Sequence, residues 1–247
     1  MKLITKFKSK NFDSRRSNKI IHIIIHYTAL DSLNEAIEFL CEPSNKVSCH
    51  YLISSKGEIY NLVNDKKRAW HAGISYWRGN SDINSTSIGI ELDFNPRKNK
   101  KYSKRSIGAL KELIKKLKQK YKIKNENILG HSDISPFRKQ DPGQHFPWYK
   151  LTETDLIHTS LSISVKYEKA IENWFKKINI YSERHKILFM LAYIGYQTEP
   201  CLYNNYNYKK LLKVYISHYG KKISQTQSNR SKYNLIKLHF LNQVLTS

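Results

Sequence analysis

Cysteine is scarce in this chain and never paired in a motif. Cys41, Cys49 and Cys201 are far apart and odd in number, and no CxxC occurs, which argues against a cysteine metal site or a disulfide framework and leaves buried free thiols. Long apolar runs are absent too. No window approaches the roughly 18 apolar residues of a membrane span, and the basic start MKLITKFKSKNF lacks the apolar core of a secretory signal. Acidic residues are outnumbered, 20 against 43 basic ones, for a formal charge of +23. Such a charge predicts attraction to anionic polymers such as nucleic acid, acidic membrane surfaces or cell wall. The basic residues are spread along both halves, however, and no nucleic-acid motif accompanies them, so specific nucleic-acid binding is not expected.

What is present suits a folded chain of more than one domain: 247 residues, 40% of them hydrophobic. Residues 1–18 are polar, basic and aperiodic, and read as an extended lead-in. Lys19 to Thr28, KIIHIIIHYT, reads as a buried strand, with Ile21, Ile23 and Ile25 on one face and His22, Ile24 and His26 on the other. Ser32 with Glu35 marks a helix start running toward Pro43. VSCHYLIS (47–54) and the strand at 59–63, joined by a turn at Gly57, form a hairpin. After a long aromatic loop, RAWHAGISYWRGNSDIN (68–84), TSIGIEL (86–92) is a further strand carrying Glu91. Ser103 opens an amphipathic helix with Ile107, Leu110, Ile114, Leu117 and Tyr121 inward. A short strand at 127–129 then leads into GHSDISPFRKQDPGQHFPW (130–148). Strands and helices interleave, so residues 19–151 are expected to form an α/β domain with a central mixed β-sheet flanked by helices. From about residue 152 glycine almost disappears and four amphipathic helices follow. Residues 160–247 are therefore read as a small all-helical C-terminal domain.

The 130–148 loop gathers His131, Lys139 and Asp141 among prolines and glycines, and loops on a rigid scaffold are where reactive groups collect. His131 and Asp141 suit two ligands of a zinc ion, and His26, at a strand end, offers a third. Two imidazoles and one carboxylate leave a fourth position open, which is the catalytic rather than the structural pattern. Alone, a histidine at a strand end is more often a packed core residue. His145 is an alternative ligand to Asp141.

The blocks His26-Tyr27-Thr28, SCHYLI (48–53), RAWHAG (68–73), SIGIEL (87–92), GHSDI (130–134) and RKQDPG (138–143), followed by Phe146-Pro147-Trp148, occur in one order. This pattern resembles the zinc-dependent N-acetylmuramoyl-L-alanine amidases, related to phage amidase "lysozymes" and animal peptidoglycan recognition proteins, over roughly residues 19 to 150. The resemblance implies one Zn2+ per chain held by His26, His131 and Asp141, Glu91 as catalytic acid/base, Lys139 as catalytic lysine, and His71 in the substrate cleft. Trp70 and Trp77 are candidate sugar-stacking residues, and His50, packed beneath the site, is grouped with them and His71 as substrate-binding. An aspartate rather than a cysteine ligand points to the envelope and wall-recycling branches. The implied activity is hydrolysis of the bond between the lactyl group of N-acetylmuramic acid and L-Ala of the stem peptide, in peptidoglycan or soluble muropeptides. The other class to weigh is a recognition protein that binds muropeptides without cutting them; such relatives lose a metal ligand, and here all are kept. LFMLAYIGYQTE (188–199) and the later helices are similar to a three-helix peptidoglycan-binding-like domain found after the amidase domain in some envelope enzymes. That likeness supports a cell-envelope or periplasmic setting with peripheral association; the lack of a visible signal leaves a cytoplasmic one open.

Overall fold

A computed structural model of the chain describes residues 3–152, 165–220 and 232–246. The polar run at 224–231, His158 and most of the expected connection between the domains lie outside the described residues. By contacts the chain divides into two compact units, Met1–Ser75 with Ser81–His158, and Tyr76–Asn80 with Thr159–Ser247.

The first unit is a mixed α/β sheet. Its strands are β1 (Leu3–Ile4), β3 (His22–Tyr27), β4 (Tyr51–Ile53), β5 (Ile59–Asn61), β7 (Ser87–Leu92) and β8 (Ile128–Gly130), ordered β1-β5-β4-β7-β3-β8. Only β4 and β5 pair antiparallel, as the expected hairpin; β4, β7, β3 and the edge strand β8 run parallel. A parallel strand covered on both faces is mostly apolar, and the middle of β3 follows this: Ile23, Ile24 and Ile25 are fully buried, while His22 and His26 are buried polar residues on either side of them. Ile23 and Ile25 join Ile88, Ile90 and Leu92 in a core with Leu110, Ile114 and Leu117 of α3 (Lys104–Tyr121). On the opposite face, Leu52 and Tyr60 meet Ala36, Ile37 and Leu40 of α1 (Leu33–Cys41). Both helices start where serine caps them: Ser32 accepts from the Glu35 amide, and Ser103 from that of Ser106. Ile21, expected to share a face with Ile23 and Ile25, precedes β3 and is exposed.

The N-terminal stretch is not a free lead-in. Leu3 and Ile4 add a parallel strand beside β5, and β2 (Phe12–Ser14) pairs antiparallel with β6 (Lys67–Ala69). Arg15 then donates to the carbonyls of Asp65 (2.9 Å), Asn84 (3.0 Å), Ser85 (2.9 Å) and Ser87 (2.8 Å). A guanidinium carries five donors in a fixed fork, which is what lets one side chain satisfy so many carbonyls at once. Two of these carbonyls belong to α2 (Ile83–Thr86), and that of Ser87 begins β7.

The second unit packs α6 (Val165–Lys177), α7 (Glu183–Ile194), α8 (Asn205–Tyr219) and α9 (Lys232–Thr246) around Phe175, Met190, Leu191, Tyr215 and Ile236. Tyr76–Asn80, expected within the first domain, groups here instead. The Arg78 amide donates to the Gly195 carbonyl (3.0 Å), and its side chain to that of Ile194 (3.0 Å).

His50 shows how tightly the first unit closes. It is fully buried, accepts from the Gly89 amide at Nδ1 (3.0 Å), and lies 3.0 Å from the Lys67 carbonyl through Nε2. Burial, then the neighbouring Arg15 charge, lowers its pKa from 6.5 to about 3. Between those two values the unfolded chain binds a proton that the folded chain refuses. Stability therefore rises with pH across the window and is lost as pH falls from 6.5 toward 3, at about 1.4 kcal/mol per pH unit for one such group. Chemical denaturation of His50→Asn followed against pH should show a lower stability at pH 7 and a shallower acid slope than the parent; an unchanged slope would exclude His50 as its source.

Candidate metal centre

Strand register sets the first half of the site. In the β3–β7 pair, His22, Ile24 and His26 stand opposite Ser87, Gly89 and Glu91. Ile23, Ile25, Ile88 and Ile90 fill the core under α3, so this second set faces the other way. The other half follows β8. Gly130 ends the strand, α4 (His131–Ile134) makes a single turn, and the chain returns so that the Ser132 amide donates to the Asp141 carbonyl (2.8 Å). The Asp141-Pro142 bond is cis. The Pro142 carbonyl accepts from the Tyr102 hydroxyl (2.8 Å), and Phe146 and Trp148 anchor the loop's end in the core before α5 (Trp148–Thr152).

Among the described residues, one group of three side chains is placed to hold a metal ion: His26, His131 and Asp141, all buried. His26 Nδ1 lies 3.0 Å from His131 Nδ1 and 2.9 Å from Asp141 Oδ2, and His131 Nδ1 lies 3.0 Å from the same oxygen. Burial raises the Asp141 pKa, but the adjacent His131 and His26 rings outweigh it and hold the group well below the carboxylate range. Burial, then His131, lowers His26 from 6.5 to about 4. A ring nitrogen offers either one proton or one lone pair in its plane. With Asp141 ionised, no placement of protons turns all three edges into hydrogen bonds, whereas one cation among the three atoms satisfies every edge.

Glu91 borders the same cleft, about 410 Å³ in volume, together with Tyr27, Lys139 and the three residues above. Its Oε2 is buried and has no hydrogen-bond partner among the described residues. Burial first, and then the Asp141 charge, raises its pKa well above 4.5, with Lys139 opposing. An unpaired buried carboxylate is costly to keep, and such groups concentrate at functional sites.

The remaining expected residues separate. His71 is 6% exposed, touches the cleft, and places Nδ1 3.0 Å from His26 Nε2, so it stands behind a trio member rather than out toward solvent. His50 is 0% exposed and cannot touch a substrate, which corrects its expected place among the substrate-binding residues. Trp77, 1% exposed, sets its ring edge-on to Tyr196 in the helical unit, and so does not offer a stacking face. Trp70 is half-buried. His145 is exposed, and the trio is complete without it. Sequence reasoning missed Arg138, whose guanidinium donates to the carbonyls of Ala72 (2.7 Å) and Ile74 (2.8 Å), although it stands in a quoted block.

A buried trio of two imidazoles and a carboxylate beyond the ends of β3 and β8, beside a glutamate with one unpaired buried oxygen, is an arrangement suited to hold one metal ion. The family profile described as N-acetylmuramoyl-L-alanine amidase matches residues 16–144, just over half of the sequence, and the chain belongs to that family. It is 41% identical to N-acetylmuramoyl-L-alanine amidase AmiD of Escherichia coli K12, over 53% of this chain and 51% of that one. It is 42% identical to 1,6-anhydro-N-acetylmuramyl-L-alanine amidase AmpD of Haemophilus influenzae, over 42% and 55%. The matches thus span about half the length of these relatives. Among solved structures, AmpDh3 of Pseudomonas aeruginosa superposes with a TM-score of 0.73 at 27% identity, covering 94% of this chain and 95% of that one. E. coli AmiD in complex with anhydro-N-acetylmuramic acid-L-Ala-D-gamma-Glu-L-Lys superposes at 0.72 and 26%, covering 96% and 98%.

Two motif glycines have a steric reason here. A Cβ on Gly89 would lie 2.4 Å from Cγ of His71, and one on Gly130 would lie 2.5 Å from Cδ of Pro142. Gly89→Ala should therefore displace the His71 ring and cost about 1–3 kcal/mol as an overpacked site. A thermal melt unchanged from the parent would show that His71 does not occupy that space.

Proposed function

We propose that this chain is a zinc-dependent N-acetylmuramoyl-L-alanine amidase. It hydrolyses the amide between the lactyl group of N-acetylmuramic acid, or its anhydro form, and L-Ala of the stem peptide in peptidoglycan or soluble muropeptides. The observation that carries this reading is the unpaired, buried Glu91 Oε2 in one cleft with the His26, His131 and Asp141 trio. Family membership and the anhydro-muropeptide held by AmiD support the substrate class. A protein that only recognised muropeptides would need neither the trio nor the buried carboxylate.

His26, His131 and Asp141 would hold one zinc ion per chain. Zinc prefers four-coordinate N and O shells with bonds of roughly 2.0–2.2 Å, which puts donors about 3.3 Å apart. The edges of 2.9–3.0 Å need to open by only a few tenths of an ångström. When bound, zinc supplies Lewis acidity that acidifies water toward neutral pH and polarises a carbonyl. Glu91, whose ionised form is made a stronger base by burial, takes a proton from the attacking water and delivers it to the leaving nitrogen of L-Ala. Lys139 brings a positive charge to the same cleft, where it stabilises the oxyanion that develops on the lactyl carbonyl. Trp70 remains a candidate contact for the sugar. The helical unit is proposed to be peptidoglycan-binding-like. The cell envelope is the proposed place of action, because the substrate lies there; among the described residues no helix is long and apolar enough to cross a membrane.

Incubated with wall fragments or anhydro-muropeptides, the protein should release peptides beginning at L-Ala, identified by mass, and lose this activity on chelation until zinc returns. Release that persists in metal-free protein would sink the metal role. Glu91→Gln should keep one zinc per chain and lose roughly 10²–10⁴-fold in kcat; full activity would remove Glu91 from catalysis. Glu91 acts as a base only when ionised, and in the metal-free protein its carboxyl 13C shift should rise with pH through an ionisation lying well above 4.5. A rise centred at 4.5 or below would contradict that assignment.

A further inference from the structure

Behind the trio runs a chain of contacts whose donors can be assigned from its far end. Ser87 Oγ lies 2.6 Å from the Ile83 carbonyl, which can only accept, so the one hydroxyl proton of Ser87 points there. Ser87 Oγ lies 3.1 Å from His71 Nε2 and must accept from it, which puts the proton of a neutral His71 on Nε2. His71 Nδ1 is then a lone pair, and it accepts from His26 Nε2–H at 3.0 Å. His26 is left with a bare lone pair at Nδ1, the atom that faces Asp141.

The second histidine is set by the next residue of the same loop. His131 Nε2 lies 3.0 Å from the Ala72 carbonyl and 3.3 Å from Arg138 Nη2. Arg138 Nη2 has shorter contacts, to the Ala72 and Ile74 carbonyls at 2.7 and 2.8 Å, so the carbonyl sets the ring: Nε2 donates to it, which leaves the Nδ1 of the neutral ring bare as well. His71 and Ala72 are in turn held by one side chain. The buried Asn84 Oδ1 accepts from both of their amides, at 3.1 and 2.8 Å. Gly89 gives the His71 ring its room, since any Cβ there would overlap it.

We propose that Ser87, His71 and Asn84 are positioning residues that fix the tautomers of His26 and His131, so that both present Nδ1 lone pairs toward Asp141 before any metal arrives. The Ser87 hydroxyl orients His71, His71 orients His26, and Asn84 holds the two consecutive acceptors on which both rings depend. A metal-ligating histidine commonly has its other ring nitrogen hydrogen-bonded, which fixes the tautomer and ring orientation. Here one short loop serves both rings. The inference rests on the metal-site reading proposed above.

The test uses the full chain with 15N-labelled histidine. In metal-free protein at pH 8, long-range 1H–15N spectra should show His26, His71 and His131 as Nε2–H tautomers. Zinc affinity, read by competition with a chromophoric chelator, should weaken roughly 10–100-fold in Ser87→Ala and in Asn84→Ala. Asn84→Asp, whose carboxylate still accepts both amides, should restore it to within about threefold, a recovery that loss of packing alone would not give. In Ser87→Ala the His26 signals should report a mixture of tautomers. A parent protein with His26 or His131 protonated at Nδ1 would overturn the proposal, as would folded Ser87→Ala that binds zinc like the parent. Because the parent spectrum requires no variant, a substitution that fails to fold cannot rescue the idea. A parent chain that takes up no zinc would instead defeat the metal reading, while its spectrum still decides the tautomers.

Discussion

Three acceptor lobes aimed at one point cannot satisfy one another. That constraint governs the first unit, because the atoms concerned are buried and cannot turn to water. His26 comes from the end of β3, while His131 and Asp141 come from the loop beyond β8. Each must be held by something stiffer than itself. The sheet holds the first, and α4, the Tyr102 contact to Pro142 and the Phe146–Trp148 anchor hold the other two. Glu91 belongs to the same logic. It stands beside His26 through strand pairing and keeps an unpaired oxygen in a cleft that already carries the Asp141 charge.

Much of this was legible in the residues. The buried run of β3, the hairpin, the capped helices and the ordered blocks around His26, Glu91 and His131 follow local rules of periodicity, capping and turn chemistry. Those rules also account for the glycine-poor helical region. The trio itself was suggested by residue type and resemblance, and the structure brings its three members together.

What could not be read had non-local causes. Nothing in residues 1–18 announces that Arg15 will reach four backbone carbonyls, because those partners lie some fifty to seventy positions further on. Trp77 and His50 bear side chains that suit a sugar cleft, and only burial by distant elements removes them from it. Ser87 and Gly89 stand in a recognisable block, yet their purpose appears only when His71 is laid across the strand. A sequence shows which residues recur together; it does not show which atom of each carries the proton.

The same placement has a consequence for biosynthesis. His26 leaves the ribosome more than a hundred residues before Asp141, and β3 finds its two neighbours in the sheet, β7 and β8, only after long intervening stretches. A nascent chain that has not yet reached Asp141 therefore holds at most two members of the trio, and whatever chemistry the centre performs begins only once the 130–148 loop has been made and closed. Timing of that kind needs no inhibitor, since it is written into the order in which the strands are synthesised.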